Sequence, residues 1–558
     1  TFATVANNGG SPAVNDMMLP IGSNIIINNL TNESDKATVV PPNTGLIVTG
    51  VVVGSETNPD KIQIKASNDG VTPNGSVLLP GQPCSSTVMG TVEMYAKGYK
   101  GPLYTWVDNI IGSPTFGTTY QGYYKWQHFG IPVESVVANP TFYLSYLREY
   151  SETLNATNTY YKKWITLNNN STLTGNFKGY SITQDIPKII TLKGALVFCD
   201  KSITLTRTAT PVTPSTDPNI ENYRYGLGQN VFGNSFTAAI DISSLSFPAN
   251  VEQTVYLYNT GSFGDWGNNG TVLTNSNMSA GSYRAIPYNV APVIGNQIPS
   301  MQGFLLRHMG TIDTEITMTL PYNQLIKNIN PQSAPRRVSK EPLSYLEVDL
   351  NSVSTKDKLW LFSQDGTSIN FDDGWDGRKF FGTPTAYIHA PTPDGNMQIS
   401  TNNNLIGTYI NFVGSSEAEY TMTLKKVNID SKYSNLYLVD MIANTITPLD
   451  KEVVTYKFIA DNNGTEKQRF QIRGQINSDI DDSGVALEAY LNGNGIQIKN
   501  NTLNEGTVQL FDVSGKMIMN TILKPLENEP LPVKLVTGVY LVKLSAGKYN
   551  NTVKVIIK

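Results

Sequence analysis

The runs that decide the fold class are VQLFDVSGKMI (Val508–Ile518), TGVYLVKL (Thr537–Leu544) and KVIIK (Lys554–Lys558). In the first run Val508 and Leu510 stand among polar neighbours at a period close to two, which is typical of a strand with one buried face. Turns that contain glycine or Ser-Gly separate the runs. The stretch therefore predicts consecutive strands of a small β-sandwich at the end of the chain.

Similar short runs recur along the rest of the 558-residue chain, which is low in charge (15%) and ordinary in hydrophobic content (40%). Low charge with many β-branched, aromatic and turn-forming residues indicates an all-β protein. A chain of this length is too long for one hydrophobic core. We therefore predict an all-β fold, a string of β-sandwich domains of Ig-like or jelly-roll-like type that ends in the small sandwich.

Changes in composition predict four regions. The first is an N-terminal all-β region whose second half is rich in aromatic residues, and within it FYLSYLREY (Phe142–Tyr150) favours a strand over a short helix. A β-helix is not favoured for residues 1–100, because their short strands have no fixed period. The acidic stretch at 476–487 is interpreted as a linker. The predicted regions are 1–195, 196–345 (a middle sandwich), 346–477 (a sandwich) and 488–558 (the C-terminal domain).

The C-terminal stretch resembles the sorting domain of type IX secretion cargo from Bacteroidetes-type bacteria. That family ends in a V-x-(hydrophobic)-(aromatic)-D-x-x-G-(K/R) strand, a G-x-Y strand and a K-V-x-x-K tail. The resemblance implies handling by the type IX export machinery and an extracellular or outer-membrane surface location. A removed signal peptide would explain why the chain begins at Thr1, and so would trimming. The residues that carry the sorting signal here are Gly515, Lys516, Gly538, Tyr540, Lys554 and Lys558.

Four further blocks resemble the cargo side of large Bacteroidetes surface proteins, and this resemblance supports architecture more than activity. One departure from the pattern is Ser235, where the family has proline. The blocks are Trp126–Val133, Phe232–Phe236, Met301–Leu305 and a late module of Leu438–Asp440, Tyr456–Phe458 and Arg469–Phe470.

Several classes of function are disfavoured. The formal net charge of −4 is no nucleic-acid footprint, and no run of 18 apolar residues could span a membrane. The three histidines lack zinc-ligand spacing, and no G-x-S-x-G elbow occurs. Cys84 and Cys199 could form a disulfide or could be two separate buried residues.

Two loop features are candidate binding elements. Asp372, Asp373 and Asp376 in FDDGWDG offer oxygen ligands that suit calcium, or are Asx-turn residues in a loop. Trp266 and Trp375 are each flanked by Gly and Asp, and a loop tryptophan is costly to expose unless it packs or binds. They are candidates to stack on sugar rings.

These observations predict a non-enzymatic surface protein that acts in adhesion or binding, with a surface glycan or a host or matrix ligand as partner. Three alternatives stay open. The first is a carbohydrate-binding protein of a polysaccharide-handling system. The second is a glycoside hydrolase, whose paired carboxylates would be assembled only in space. The third is a structural matrix component.

Overall fold

The computed structural model forms two compact units, residues 1–475 and residues 476–558, which we call the N-terminal unit and the C-terminal unit. Each is considered by itself. The structure describes residues 16–32, 36–69, 72–98, 105–107, 119–121, 126–156, 163–184, 186–208, 228–258, 283–328, 343–353, 355–380, 386–414, 419–460, 467–476, 487–492, 495–500, 502, 504–524, 528–547 and 549–557.

Strands dominate both units, which confirms the all-β prediction. In the described ranges the α-helices are single short turns, α1 (Ala138–Thr141), α2 (Glu152–Ala156) and α3 (Ala291–Ile294). None of the helices in these ranges is long and apolar enough to cross a membrane.

The N-terminal unit opens with a stack of short parallel strands rather than a sandwich. The strands pair in three separate columns, β1-β4-β7-β9, β2-β5-β8 and β3-β6, each in parallel. The strands are β1 (Met17–Met18), β2 (Asn24–Ile27), β3 (Leu30–Thr31), β4 (Thr38–Val40), β5 (Gly45–Val48), β6 (Val52–Val53), β7 (Ile62–Ile64), β8 (Ser76–Leu78) and β9 (Met89–Ala96).

This arrangement is a short β-helix, which the sequence analysis did not favour. Met17 pairs with Thr38, Thr38 with Ile62, and Gln63 with Thr91, so successive rungs advance by 21, 24 and 28 residues. Each rung places an apolar side chain over the one below, as in the column Ile25, Leu46 and Val77. The rungs differ in loop length, which hides the period, while the stacked interior stays apolar.

Antiparallel sheets follow the stack. β9 pairs with β18, β12-β17-β14-β15 form a four-stranded sheet, and β10-β11, β13-β16 and β19-β26 form two-stranded sheets. In the region FYLSYLREY only Tyr146–Tyr150 forms a strand, β14, while Phe142–Leu144 forms a turn, so the predicted strand is confirmed for the second half of the run only. These strands are β10 (Thr105–Val107), β11 (Thr119–Gln121), β12 (Gln127–Phe129), β13 (Ser135–Val137), β14 (Tyr146–Tyr150), β15 (Trp164–Thr166), β16 (Thr172–Thr174), β17 (Tyr180–Thr183), β18 (Lys188–Ala195) and β19 (Lys201–Arg207).

A second four-stranded antiparallel sheet, β20-β25-β22-β23, packs beside them, and β21 pairs with β24. One hydrophobic core runs from Leu19 to Leu325, so the predicted boundary between 1–195 and 196–345 passes through a shared core. The cysteines are joined as a Cys84–Cys199 disulfide. The strands are β20 (Gln229–Gly233), β21 (Ile240–Asp241), β22 (Thr254–Tyr258), β23 (Tyr283–Pro287), β24 (Gln297–Ile298), β25 (Gly303–Arg307) and β26 (Thr314–Leu320).

Three of the four sequence blocks meet at one point of this core. Asn234 donates its side-chain amide to the carbonyls of Ala238 and Ile298, and its backbone exchanges hydrogen bonds with residues 301 and 302. Gly130 of the first block touches Gly233 so closely that a Cβ on either would collide with the other's backbone. Ser235 accepts a hydrogen bond from the Phe177 N–H at 3.1 Å, which the proline of the related proteins could not do.

Residues 344–476 form a sandwich-like layer pair, close to the predicted range 346–477. Strand β30 passes from one sheet to the other, because its end pairs with β31 and its beginning with β32. The strands are β27 (Ser344–Asn351), β28 (Lys356–Ser363), β29 (Gly377–Arg378), β30 (Tyr387–Thr392), β31 (Gly395–Asn402), β32 (Tyr409–Val413), β33 (Glu419–Val427), β34 (Tyr433–Asp440), β35 (Thr445–Pro448), β36 (Val453–Ile459) and β37 (Lys467–Ile476).

The late sequence module is explained by one buried network in this sandwich. Arg469 donates to the Asp440 carboxylate from Nε and Nη2, at 2.8–3.2 Å, and both side chains are buried. The Tyr456 hydroxyl donates to the same carboxylate at 3.0 Å. The ring centroids of Phe458 and Phe470 lie 5.0 Å apart. Each of the three segments of the late module therefore contributes at least one residue to this network.

We expect the substitution Tyr456→Phe to destabilise the N-terminal unit by about 1–2 kcal/mol, because it removes one hydrogen bond to a buried carboxylate and leaves the ring in place. Chemical denaturation of the full chain, followed by tyrosine and tryptophan fluorescence, measures the change. The matched control is Tyr437→Phe, at a half-buried tyrosine on the same strand as Asp440. Equal losses in both variants would contradict a specific role for Tyr456.

The C-terminal unit contains two small antiparallel sheets, β38-β39-β42 and β41-β40-β43-β44, with a core of its own. Its sandwich is the one predicted for the C-terminal domain, and its first strand begins at Leu487. The strands are β38 (Leu487–Asn492), β39 (Gly495–Asn500), β40 (Gly506–Asp512), β41 (Met517–Leu523), β42 (Asn528–Pro530), β43 (Gly538–Ala546) and β44 (Tyr549–Ile557).

Candidate binding site

One face of sheet β12-β17-β14-β15 carries the most unusual group of side chains in the N-terminal unit. The strand register places His128, Ser181 and Arg148 in one row across the sheet, with Tyr150 opposite Trp164 further along. Successive side chains of a strand point to opposite faces, so these residues share one face. The opposite face of the sheet, with Phe129, Leu147, Tyr180 and Ile182, is buried in the core.

Aromatic rings surround Arg148 on this face. Its guanidinium lies 3.2 Å from the centroid of the Trp126 ring and 5.5 Å from that of Trp164. Cations are attracted to aromatic faces at this range, so the two rings hold the guanidinium in place. Trp164 also packs edge-on against Tyr150 at 5.3 Å.

The second sheet supplies the far wall. The end of β22 and the start of β23 bring Tyr258 and Tyr283 together, and the His128 ring stacks on Tyr258 at 3.6 Å. The Tyr283 hydroxyl shares a hydrogen bond of 3.2 Å with His128 Nδ1. Gly303 lets strand β25 lie close to His128, because a Cβ on residue 303 would lie 2.4 Å from the His128 Cβ. We call the group of Trp126, His128, Arg148, Tyr150, Lys163, Trp164, Ser181, Tyr258 and Tyr283 the Arg148 face.

The described residues of the Arg148 face carry positive charge. Among the described residues no carboxylate pairs with Arg148 or Lys163. Burial lowers the pKa of Arg148 to about 9, and burial together with the nearby Arg148 charge lowers the pKa of Lys163. Burial, aided by both cations, lowers the pKa of His128 well below its usual value, so this ring is neutral at pH 7.

Several polar atoms of the face are buried without a hydrogen-bond partner. They are Arg148 Nε, the Tyr150 hydroxyl and Ser181 Oγ. Buried polar groups are nearly always hydrogen-bonded in native proteins, and an unsatisfied one costs about 1–3 kcal/mol. Three such atoms on one face are therefore a signal of a ligand or of ordered water.

Another groove, of 710 Å³, runs between β13, α1 and strand β18. Its cations are already engaged, since Lys193 pairs with Asp60 at 2.7 Å and Lys188 donates to the carbonyl of Tyr143. The apolar side chains at one end of this groove, Tyr143 and the neighbouring Leu144, are largely exposed. The unpaired charge and unsatisfied donors make the Arg148 face the better candidate site.

The predicted calcium residues lie in a loop whose carboxylates are used by the protein itself. Asp372 accepts from the Ser368 N–H at 2.6 Å, Asp373 from Gln253 at 2.8 Å and Asp376 from Thr401 at 2.6 Å. Burial raises the pKa of Asp376 to about 7. No group of three or more His, Cys, Asp or Glu in the described part of the chain is arranged to hold a metal ion. Calcium binding at this loop stays a prediction.

The candidate tryptophans have different positions. Trp375 is half-buried and packs against a hydrophobic cluster that includes Tyr256 and Trp360, and its carbonyl accepts from Thr401 Oγ1 at 2.9 Å. Trp266 lies outside the described residues. A sugar contact by either tryptophan stays a prediction. The structure instead brings Trp126 and Trp164 together beside Arg148.

The residues of the predicted sorting signal lie on the strands and turns of the C-terminal unit. Gly515 has a φ of +84° in the tight turn between β40 and β41, a conformation that favours glycine. The Asp512 carboxylate closes that turn by accepting from the N–H of Lys516 at 3.0 Å. Gly538 begins β43, and the Tyr540 hydroxyl donates to the carbonyl of Val536. Lys554 lies on β44, and Lys558 is outside the described residues.

Comparison with known proteins gives two results. Residues 492–558 match the family model of the secretion system C-terminal sorting domain, which confirms the predicted domain and includes every predicted signal residue. Along its whole length the chain is 30% identical to the minor fimbrium subunit Mfa5 of Porphyromonas gingivalis. The chain covers 43% of that protein, so it spans less than half of the relative's length.

These matches establish the destination of the chain. It is a Bacteroidetes-type surface protein that carries a type IX sorting domain, and it is exported to the cell surface or the extracellular space. The relative is named as a minor subunit of a fimbrium.

Proposed function

We propose that this surface protein is an adhesion subunit, which the type IX machinery exports through residues 492–558 and which binds its ligand with the N-terminal unit. The observation that carries the proposal is the separation of two tasks between two cores. The matched sorting domain lies in a compact unit with its own core. The unit of 475 residues before it holds a face on which two buried cations, Arg148 and Lys163, lie together with no ion pair among the described residues.

A binding role without catalysis is supported by the chemistry of that face. Its histidine is neutral, stacked on Tyr258 and hydrogen-bonded to Tyr283, so it is fixed rather than poised for proton transfer. The name of the Porphyromonas relative, a fimbrium subunit, supports an adhesive surface structure. The other groups on the face are cations, hydroxyls and rings, which recognise a ligand by charge, hydrogen bonding and stacking.

The test compares cells that produce the chain with cells of the same strain from which its gene has been deleted. An antibody against the N-terminal unit should label intact wild-type cells, and adhesion to a glycan-coated or matrix-coated surface should fall to the background of the deletion strain. A strain whose type IX machinery is disabled should retain the protein inside the cell envelope. Equal adhesion of wild-type and deletion cells would contradict the proposal.

A further inference from the structure

We infer that the Arg148 face is a binding site for a carboxylate-bearing sugar, such as a uronic or nonulosonic acid unit at the surface of a glycan. The inference rests on the proposed function, because it names the ligand class that the adhesion unit would recognise.

The first argument is that two cations, Arg148 and Lys163, are buried side by side on this face. Arg307 pairs with Glu252, Arg469 with Asp440, and Lys379 with Asp357. A buried charge without a partner is costly, and the fold avoids that cost at each of these positions. Arg148 and Lys163 lie close together, and no carboxylate in the described part of the chain pairs with either. Arg284 and Arg473 also lack an ion pair there, each as a single guanidinium. An anionic group brought by a ligand would supply the partner that Arg148 and Lys163 lack.

The second argument is the geometry of the donors. A guanidinium presents its N–H groups in a planar fork that matches the two oxygens of a carboxylate. The guanidinium carbon of Arg148 lies 3.2 Å from the centroid of the Trp126 ring, so this contact restricts its position before a ligand arrives. Lys163 adds a second positive charge beside it. This pair favours a compact planar anion over a long polyanion, which would need a basic surface of larger extent.

The third argument concerns the rest of the ligand. The buried hydroxyls of Tyr150 and Ser181 have no hydrogen-bond partner among the described residues, and sugars carry hydroxyls of matching character. Trp164, Tyr258 and Tyr283 are each half-buried, so their rings border the face and leave part of their surface to a ligand. Aromatic walls with a few fixed polar groups are typical of small-ligand sites.

Calorimetry with the purified full chain tests this inference. The probe is a tetrasaccharide of alternating glucuronic acid and N-acetylglucosamine, and its matched control is the same tetrasaccharide with the carboxylates reduced to alcohols. We expect the acidic probe to bind roughly tenfold or more tightly than the reduced one, since charged hydrogen bonds contribute about twice what neutral ones do. A sulfated, carboxyl-reduced version and an Asp/Glu-rich peptide complete the set.

Variants locate the site. Arg148→Gln should weaken binding of the acidic probe roughly tenfold or more, and Lys163→Gln should weaken it by about threefold to tenfold. Tyr150→Phe should weaken it less, because it removes one hydroxyl. Arg473→Gln is the control, since burial also lowers the pKa of Arg473 and its Nε is likewise unsatisfied, but it lies on β37 in the sandwich. It should bind as the wild type does. Thermal unfolding confirms that each variant is folded.

Three results would overturn the inference. They are equal affinity for the acidic and reduced probes, binding of only the sulfated probe or the acidic peptide, and unchanged affinity in both Arg148→Gln and Lys163→Gln. Failure here is distinguishable from failure of the adhesion proposal. Cells whose adhesion depends on the chain, but whose purified chain ignores carboxylated sugars, would refute the ligand class and leave the adhesion role intact.

Discussion

A chain that lacks Lys554–Lys558 should keep a folded N-terminal unit and fail to reach the cell surface. The deletion removes the second half of strand β44, in which Val555 and Ile557 are each 4% exposed and belong to the C-terminal core. Burying two such side chains contributes about 3–6 kcal/mol, a large share of the stability of so small a sandwich. We expect the C-terminal unit to unfold and the export signal to be lost with it.

Cell fractionation and surface labelling measure this result, with the truncated chain expected in the periplasm. Limited proteolysis should still give a resistant fragment of the N-terminal unit. The variant Lys554→Gln separates recognition from folding, because it removes a charge and leaves both buried residues of β44 in place. Normal surface display of the truncated chain would contradict the role of the tail.

The second large effect is expected from the Cys84–Cys199 disulfide. The bond closes a loop with a sequence separation of 115 residues. Closing a loop of this length restricts the unfolded chain and stabilises the fold by roughly 4–5 kcal/mol in the chain-entropy account. We expect the double variant Cys84→Ala/Cys199→Ala to lose about this much, as measured by denaturant unfolding under non-reducing conditions.

Each single alanine variant should lose about as much as the double variant, because the bond is broken once in all three. The denaturant midpoint of the wild-type protein measured in the presence of a reductant should equal that of the double variant. A free energy of unfolding for the double variant within about 1 kcal/mol of the wild-type value would contradict this prediction. It would mean that the loop is restricted in the unfolded state by something other than the disulfide.

The sequence was most informative where one local pattern determines one strand. The alternating apolar and polar residues in VQLFDVSGKMI and TGVYLVKL predicted β40 and β43. Strand β44, whose buried and exposed residues also alternate, belongs to the same sheet. A sandwich over 346–477 was predicted because similar short runs recur there, but the runs do not cover strands β29, β30, β32 and β35. The β-helix was not predicted because it is defined by strand pairing between successive rungs, and no fixed sequence period marks that pairing. The rung from Thr38 to Ile62 is longer than that from Met17 to Thr38.

The candidate site was harder to predict. Trp126 and His128 share a face two residues apart, and so do Arg148 and Tyr150, so the alternation was present in the sequence. What joins the two pairs is the register through β17, where Ser181 stands opposite both His128 and Arg148. Tyr258 and Tyr283 come from another sheet altogether. No local pattern encodes that the cations of this face lack an acidic neighbour.

The Cys84–Cys199 bond has a mechanical consequence for a protein that is exposed at the cell surface and could bear a load there. Tension that pulls the chain apart from its ends cannot draw out the residues between the two cysteines, because the force passes across the bond. Fully extended, that segment would measure roughly 400 Å at about 3.3–3.6 Å per residue. This loop contains strand β9 and seven of the nine residues of the Arg148 face. These parts are therefore shielded from being unravelled end to end while the rest of the unit yields.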